Sequence, residues 1–384
     1  MKPQYFYSKG LALMPIFLII ASITVLILAV IASQTVLPRR QPYLPPSLSP
    51  EPGAEAILQT YARPPATTNV AAWIPYWDQA AALASLQKFA DKVDYTILFW
   101  YMLGADGSVA PYGGAGSPQS VIDVARPGGS KVLISVANLS SDEVGKWDPQ
   151  RVGLVIQDQA SRARHIASLS DLVNSTGADG LVIDYEALLP SQRQNFTLFI
   201  QELSQEMHQQ GKLVGVTLAP KDADMNPALS NGSDAQDWLA LQQYADQLYL
   251  MSYDQHWITS SPGPIASLPW LQGVVTYARS RIPQDKLFVG LPLYGYDWSN
   301  APQAQGLEYT DVLRLLGRTG SMVQWDQQAG SHYFVYQDAR GSHTVWFEDA
   351  NSIEAKMALL HRLNIQNFFL WRLGGEDVRV WEQL

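Results

Sequence analysis

Short apolar segments alternate with longer amphipathic segments from Val70 to the end of the chain. The apolar segments are nearly continuous runs of aliphatic and aromatic residues, which is typical of strands buried on both faces of a parallel sheet. The strands predicted from them are Val70–Trp77, Tyr95–Leu103, Lys131–Asn138, Asp179–Glu186, Lys212–Pro220, Gln247–Asp254, Lys286–Tyr294 and Phe368–Leu373. The segments between strands, such as Gln157–Ser175 and Ser191–Gln210, have helical periodicity.

Repeated strand–helix units of this number predict an α/β fold, a (β/α)8 TIM barrel. A doubly wound open sheet is the alternative, but no Gly-rich phosphate loop follows the first predicted strand. The gap between Trp298 and Phe368 is too long for a single crossover. We therefore predict a small α+β insertion at about 299–348, after strand seven, followed by a helix over Asp349–Leu363. The strands predicted inside it are Ser321–Trp325, Tyr333–Gln337 and Thr344–Phe347.

The amino-terminal part of the chain has a different pattern. Leu11 to Ala32 is almost purely apolar, which is long enough to span a bilayer. We interpret residues 1–37 as a cytoplasmic tip and a transmembrane signal anchor, and a cleaved signal peptide is the alternative. Residues 38–69 are rich in proline and predict an extended linker. The domain at 70–384 is then extracytoplasmic, either membrane-anchored or, after cleavage, secreted.

Composition excludes several classes of function. The net charge of -9 argues against nucleic acid as a partner, because nucleic-acid binding needs a basic face. Cysteine is absent, so the chain has no disulfide, thiolate metal site or cysteine nucleophile. The histidines are scattered without the spacing of metal ligands, and neither a metal nor a cofactor is expected.

The segment Asp179-Gly-Leu-Val-Ile-Asp-Tyr-Glu186 ends a predicted strand with two carboxylates. Strand alternation places Val182, Asp184 and Glu186 on one face, with Glu186 at the carboxyl end. Polar residues at this end of a barrel strand are more often catalytic than structural. A solvated turn, or a helix cap formed by Asp184, is the structural alternative.

Aromatic residues stand at the ends of several other predicted strands. Together they predict a groove whose flat apolar faces could stack on sugar rings, although each of them singly could be a core residue. The groove residues are Tyr76, Trp77, Trp100, Tyr296, Trp298 and Trp371, with Tyr253 and Asp254 at the end of strand six.

These residues resemble those of glycoside hydrolase family 18, the chitinase-like barrels, over about Val70 to Leu384. The signature Asp-x-x-Asp-x-Asp-x-Glu of that family is matched at Asp179, Asp184 and Glu186, whereas Val182 stands at the second acidic position. Its Met-x-Tyr-Asp is matched by Met251-Ser-Tyr-Asp254, and its strand-eight tryptophan by Trp371. Gly290-Leu-Pro-Leu-Tyr-Gly-Tyr-Asp-Trp298 is most similar to the spore-germination and cortex-lytic (YaaH-like) branch.

The resemblance implies substrate-assisted retaining hydrolysis of a β-1,4-linked glycan that contains N-acetylglucosamine, either peptidoglycan or chitin. Glu186 would be the general acid, Asp184 would orient the acetamide, and Tyr253 would donate to its carbonyl. Trp371 would form the floor of the subsite, and Asp254 would bind sugar hydroxyls or support the acid. Asp179 would fix the start of the strand.

Some features of the sequence leave alternatives open. Val182 cannot hydrogen bond, which leaves Asp184 without a partner beneath it. Asp297, at the end of strand seven, is the remaining candidate for a second catalytic carboxylate. The alternative function is a weak or inactive chitinase-like protein that binds carbohydrate. A monomer is expected.

Overall fold

The computed structural model describes residues 68–104, 106–140, 146–224 and 231–384. The predicted anchor at 1–37 and nearly all of the predicted linker at 38–69 therefore lie outside the described residues. Within the described ranges, no helix is both long enough and apolar enough to cross a bilayer.

Eight parallel strands close into a barrel, which confirms the predicted TIM barrel. Closure is direct, because the first strand pairs with both the second and the last, and it excludes the open doubly wound sheet. The barrel strands are β1 Asn69–Pro75, β2 Tyr95–Leu103, β4 Lys131–Ala137, β5 Gly180–Asp184, β6 Leu213–Leu218, β7 Gln247–Leu250, β8 Leu287–Pro292 and β14 Asn367–Trp371. The short β3, Val109–Pro111, extends β2 as an antiparallel edge.

Helices alternate with these strands and cover the outside of the barrel. They are α1 Gln79–Phe89, α2 Pro118–Ala125, α3 Pro149–Ile156, α4 Gln159–Thr176, α5 Arg193–Gln209, α6 Trp238–Leu241, α7 Leu268–Arg279 and α9 Ala350–Arg362, whereas α8 Tyr309–Thr319 belongs to the insertion. On β5, Leu181 and Ile183 pack outward against the helices, while Val182 belongs to the aromatic cluster inside the barrel. This alternation explains why both faces of each strand are apolar.

Large aromatic side chains fill the barrel interior. Trp73 contacts Tyr249 edge to face, and Tyr249 packs against Phe288. Gly215 makes room for this packing, because a Cβ there would lie 2.8 Å from the Tyr249 ring and 3.1 Å from Val182. Val182 is fully buried in this interior, so it is a packing residue of the barrel.

At the amino ends of the strands, aspartates bind the backbone of the neighbouring strand. Asp94 accepts from the Val70 amide at 2.7 Å. Asp246 accepts from the Val214 amide at 2.8 Å, and Asp179 accepts from the Val132 amide of β4 at the same distance. Each aspartate immediately precedes its own strand, so these contacts set the register between adjacent strands at this rim.

The insertion is a five-stranded antiparallel sheet with one helix. Its strands are β9 Tyr294–Trp298, β10 Gln305–Glu308, β11 Gln324–Asp326, β12 Ser331–Asp338 and β13 Gly341–Phe347, and its helix is α8. The predicted start at about 299 is wrong. The sheet begins at Tyr294, directly after barrel strand β8, because Gly295 to Trp298 pair with β13.

Candidate active site

Glu186 lies just beyond the carboxyl end of β5, and its backbone is fixed by a buried amide. The Asn138 side chain accepts from the Glu186 amide N–H at 2.8 Å and donates to the Glu186 carbonyl at 3.0 Å. Asn138 is fully buried at the end of β4. This pair replaces the strand pairing that ends at Asp184, and it holds Glu186 in place over the barrel mouth.

Asp184 is buried beneath Glu186, and its hydrogen-bond partner comes from the next strand. The Thr217 hydroxyl donates to Asp184 Oδ1 at 2.6 Å. Burial raises the pKa of Asp184 to about 6, against the opposing effect of the Thr217 hydrogen bond. Ser135 lowers this pKa further, although its hydroxyl makes no hydrogen bond of normal geometry. Val182 offers Asp184 no partner beneath it, and the neighbouring strand β6 supplies the Thr217 hydroxyl instead.

Asp254 is held by the first residues of the insertion. Tyr294 and Tyr296 donate their hydroxyls to Asp254 Oδ1 at 2.5 and 3.0 Å. Burial raises the pKa of Asp254 to about 6, while both hydrogen bonds lower it. The backbone of Asp254 has a φ of 59°, a left-handed conformation that is uncommon outside glycine. The insertion thus places this carboxylate at the mouth of the barrel.

Glu186 holds its proton more tightly than an ordinary glutamate. Protein surrounds its carboxyl group, and this burial raises its pKa well above the usual value. The negative charges of Asp184 and Asp254 raise the pKa further. Within the described residues, the Glu186 carboxyl group makes no hydrogen bond to protein. The raised pKa favours the protonated form of this carboxyl group, which is the form from which a general acid gives its proton.

Tyr253 and Trp371 lie beside these carboxyl groups. Their rings are nearly parallel, with centroids 6.4 Å apart and an interplanar angle of 13°. Burial raises the pKa of Tyr253 well above 10, and the charges of Asp184, Glu186 and Asp254 add to the shift. The phenol therefore stays protonated, which leaves it a hydrogen-bond donor at the site.

Trp77, one of the predicted strand-end aromatic residues, extends this aromatic floor outward. Its side chain is 50% exposed and lies 6.5 Å from Trp371, ring to ring. The Arg372 guanidinium covers the ring at 5.6 Å and binds Asp78 at 2.7 Å and Glu308 at 2.6 Å. Trp77 lies just beyond the carboxyl end of the first strand, and this position is what placed it at the groove in the sequence.

The remaining predicted groove residues have different surroundings. Tyr76 is half-buried, with its ring stacked on Tyr112 at 4.3 Å beside the groove. Trp298 is mostly buried and donates its indole N–H to the Trp257 carbonyl at 3.3 Å. Trp100 does not join the groove, because it is buried in the outer cluster beneath the helices. Phe99 occupies the interior face instead, 5.5 Å from Trp371.

Asp179 and Asp297 both lie away from this group. Asp179 is at the opposite end of β5 and accepts from the Val132 amide at 2.8 Å, with Arg126 at 3.2 Å. Asp297 points into the insertion, where it accepts from Tyr336 at 2.6 Å and pairs with His343 at 2.8 Å. Asp297 is therefore not placed to act as a second catalytic carboxylate.

The described residues contain no group of three or more His, Asp or Glu side chains arranged as metal ligands. Two of the carboxyl groups at the barrel mouth, those of Asp184 and Asp254, instead accept hydrogen bonds from hydroxyl groups. The arrangement provides a carboxyl group of raised pKa, two further carboxyl groups bound by hydroxyl donors, and a phenol donor over an aromatic floor.

Comparison with known proteins agrees with this geometry. The family model described as Glycosyl hydrolases family 18 matches residues 128–376. The chain belongs to glycosyl hydrolase family 18. The matched range includes Asp184, Glu186, Tyr253, Asp254 and Trp371.

Several relatives within family 18 are similar over most of the barrel. The Bacillus subtilis cortical fragment-lytic enzyme is 28% identical over 65% of this chain and 58% of its own length. Human di-N-acetylchitobiase is 26% identical over 58% of this chain and 64% of its own length. The chain thus spans less than two thirds of the length of these two relatives.

Solved structures show the same barrel. A chitinase from Chromobacterium violaceum is 29% identical, with a TM-score of 0.73 over 82% of this chain and 97% of its own length. The Bacillus cereus spore cortex-lytic enzyme SleL has a TM-score of 0.73 over 84% of this chain and 75% of its own. At 21% identity, that second likeness concerns the fold alone.

Proposed function

We propose that this domain hydrolyses β-1,4-linked glycan containing N-acetylglucosamine, by substrate-assisted retaining catalysis. The observation that carries the proposal is the raised pKa of Glu186, which lies beside Asp184 and Asp254. Among the described residues, no other carboxylate acts on Glu186. Two-carboxylate glycosidases place acid and nucleophile on opposite sides of the bond. Because Asp297 is turned into the insertion, the acetamide of the substrate takes the role of nucleophile.

In the first step, the acetamide carbonyl oxygen of the sugar forms a bond to its own anomeric carbon. The glycosidic C–O bond breaks, and Glu186 gives its proton to the departing oxygen. In the second step, the Glu186 carboxylate takes a proton from water as that water attacks the anomeric carbon. The oxazolinium ring opens, the configuration is retained and Glu186 is protonated again.

The neighbouring groups stabilise the intermediate. Asp184 accepts the acetamide N–H and offsets the positive charge of the oxazolinium ring, with Thr217 holding its carboxylate. Tyr253 donates to the acetamide carbonyl and keeps it in line. Trp371 stacks beneath the sugar that reacts, and Asp254 sustains the high pKa of Glu186.

The substrate class follows from the need for a 2-acetamido sugar. The names of the relatives point to the same polymers, because they include a chitinase, a chitobiase and a cortical fragment-lytic enzyme. We propose peptidoglycan or chitin as the polymer. The apolar segment Leu11 to Ala32 supports an anchor that holds the domain outside the cytoplasmic membrane. The proposal also includes a monomer that acts without a cofactor.

The alternative is a protein that binds the glycan without cleaving it. Val182 favours this reading, because it replaces the second acidic residue of the family signature. The Thr217 hydrogen bond to Asp184 argues against it, since the carboxylate keeps a partner.

The test is product release from N-acetylglucosamine oligomers and from purified peptidoglycan, by the wild type and by Glu186→Gln. We expect cleavage by the wild type and a loss of roughly 10²–10⁴-fold in the variant, with unchanged thermal unfolding. Binding of oligomers by both proteins without cleavage by either would replace this proposal with the carbohydrate-binding alternative.

A further inference from the structure

Tyr185 lies between Asp184 and Glu186 in the chain, but its side chain points the opposite way. Strand alternation turns Asp184 into the barrel, whereas Tyr185 is fully buried in the outer cluster beneath the helices. There its hydroxyl oxygen lies 2.6 Å from Nε2 of His165 on α4. The ring of Phe199 on α5 stacks on His165 at 5.4 Å and closes the pocket. This buried pair takes no part in the proposed proton transfers.

Both partners of this hydrogen bond are uncharged at neutral pH. Burial lowers the pKa of His165 to about 4, against the opposing effect of the Gly107 backbone. Burial also raises the pKa of Tyr185, so the phenol keeps its proton. The phenol therefore donates and the ring nitrogen accepts. The other ring nitrogen, Nδ1, makes no hydrogen bond of normal geometry within the described residues, so the bond to Tyr185 is what fixes the imidazole.

The backbone around Glu186 depends on side-chain contacts of this kind. β5 ends at Asp184, so no strand pairing reaches Glu186. Ala187 follows with a φ of 52°, a left-handed conformation that is strained in a residue other than glycine. Such a turn persists only where its surroundings hold it. Asn138 fixes the Glu186 backbone from β4, and the bond of Tyr185 fixes the preceding residue from α4.

We propose that His165 is a positioning residue, which holds Glu186 over the barrel mouth through its hydrogen bond to Tyr185. The inference rests on the proposed function, because it assigns His165 a part in that reaction. His165 does not face the groove and acts only through the peptide that joins Tyr185 to Glu186. A misplacement of about 1 Å can reduce a rate roughly 10²-fold, so one anchor beside the acid is enough to affect turnover.

Two Tyr→Phe substitutions provide a matched test. Tyr185→Phe removes the bond to His165, and Tyr249→Phe removes a bond of the same length, 2.6 Å, to Gln247. Both tyrosines are fully buried, but Tyr249 packs inside the barrel on β7. Carbon-13 NMR titration of the Glu186 carboxyl group, assigned with Glu186→Gln, measures its pKa. That pKa should fall by roughly one unit in Tyr185→Phe, because the carboxyl group leaves its buried place, and should stay unchanged in Tyr249→Phe.

Kinetics on N-acetylglucosamine oligomers give a second readout. Tyr185→Phe should reduce kcat roughly 10- to 100-fold with KM near that of the wild type, because the change affects the acid and not the groove. Tyr249→Phe should keep the kcat of the wild type. His165→Gln retains an acceptor for the phenol, so its kcat and its Glu186 pKa should lie closer to the wild-type values than those of His165→Leu.

A Glu186 pKa that stays at the wild-type value in Tyr185→Phe would overturn the inference, whatever the kinetics. So would equal falls of that pKa in the two Phe variants, which would reflect a general loss of packing. Thermal unfolding identifies a Tyr185→Phe protein that is misfolded, in which case the Glu186 pKa in His165→Gln and His165→Leu decides. A wild type that binds oligomers but cleaves nothing contradicts the proposed function alone, because the NMR titration needs no turnover.

Discussion

Carboxylates at the two ends of the barrel have different roles. At the amino ends, Asp94 and Asp179 accept backbone amide hydrogens and fix adjacent strands. At the carboxyl ends, Asp184 and Asp254 accept hydroxyl hydrogens in buried positions, and the pKa of each is raised to about 6. The two groups therefore differ in partner and in burial as well as in their place on the strand, and these differences separate a structural role from a chemical one.

Matched substitutions at the two ends of β5 would test this comparison most directly. Asp184→Asn should reduce turnover by roughly 10²–10³-fold, because it removes the charge that faces the oxazolinium ring. Asp179→Asn should leave turnover near that of the wild type and reduce the free energy of unfolding by about 0.5–1.5 kcal/mol. Kinetics and urea unfolding of both variants measure this, and equal losses of turnover would contradict the division of roles.

The Thr217 hydroxyl offers a finer test at the carboxyl end. Thr217→Val removes the hydrogen bond that lowers the pKa of Asp184, so that pKa should rise further above 6. Turnover should fall roughly tenfold or more, and the acid limb of its pH profile should move to higher pH. Thr217→Ser keeps the hydroxyl and is the control, so identical profiles for the two variants would remove Thr217 from the site.

Asp254 should control the basic limb of the pH profile. Its negative charge raises the pKa of Glu186, so Asp254→Asn should lower that pKa. The alkaline loss of kcat/KM should then begin at lower pH, by roughly one unit. Asp297→Asn is the control, because Asp297 is buried in the insertion away from Glu186. A basic limb that does not move would show that burial and Asp184 set the pKa of Glu186 without a contribution from Asp254.

The pattern of apolar segments predicted the barrel because each strand is buried on both faces and its hydrophobicity is local in sequence. Contacts between strands could not be predicted in the same way. Thr217 supports Asp184 from β6, and its alignment depends on strand register, which no local pattern contains. The position of Trp100 was readable, since alternation with Ile97 and Phe99 inside the barrel puts it outside. The start of the insertion was missed because β9 follows β8 after a single residue.

A further expected effect concerns stability and its dependence on pH. Because folding raises the pKa values of Asp184 and Asp254 from 3.8 to about 6, the folded state binds more protons than the unfolded state between these values. These two groups therefore make the free energy of unfolding increase as the pH falls from 7 towards 4, and decrease as it rises through 6. Asp254→Asn should remove its share, roughly 1–3 kcal/mol across that range. Urea unfolding of wild type and variant at pH 4.5 and 7 measures the difference, and parallel pH dependences would mean that Asp254 stays hydrated in the folded protein.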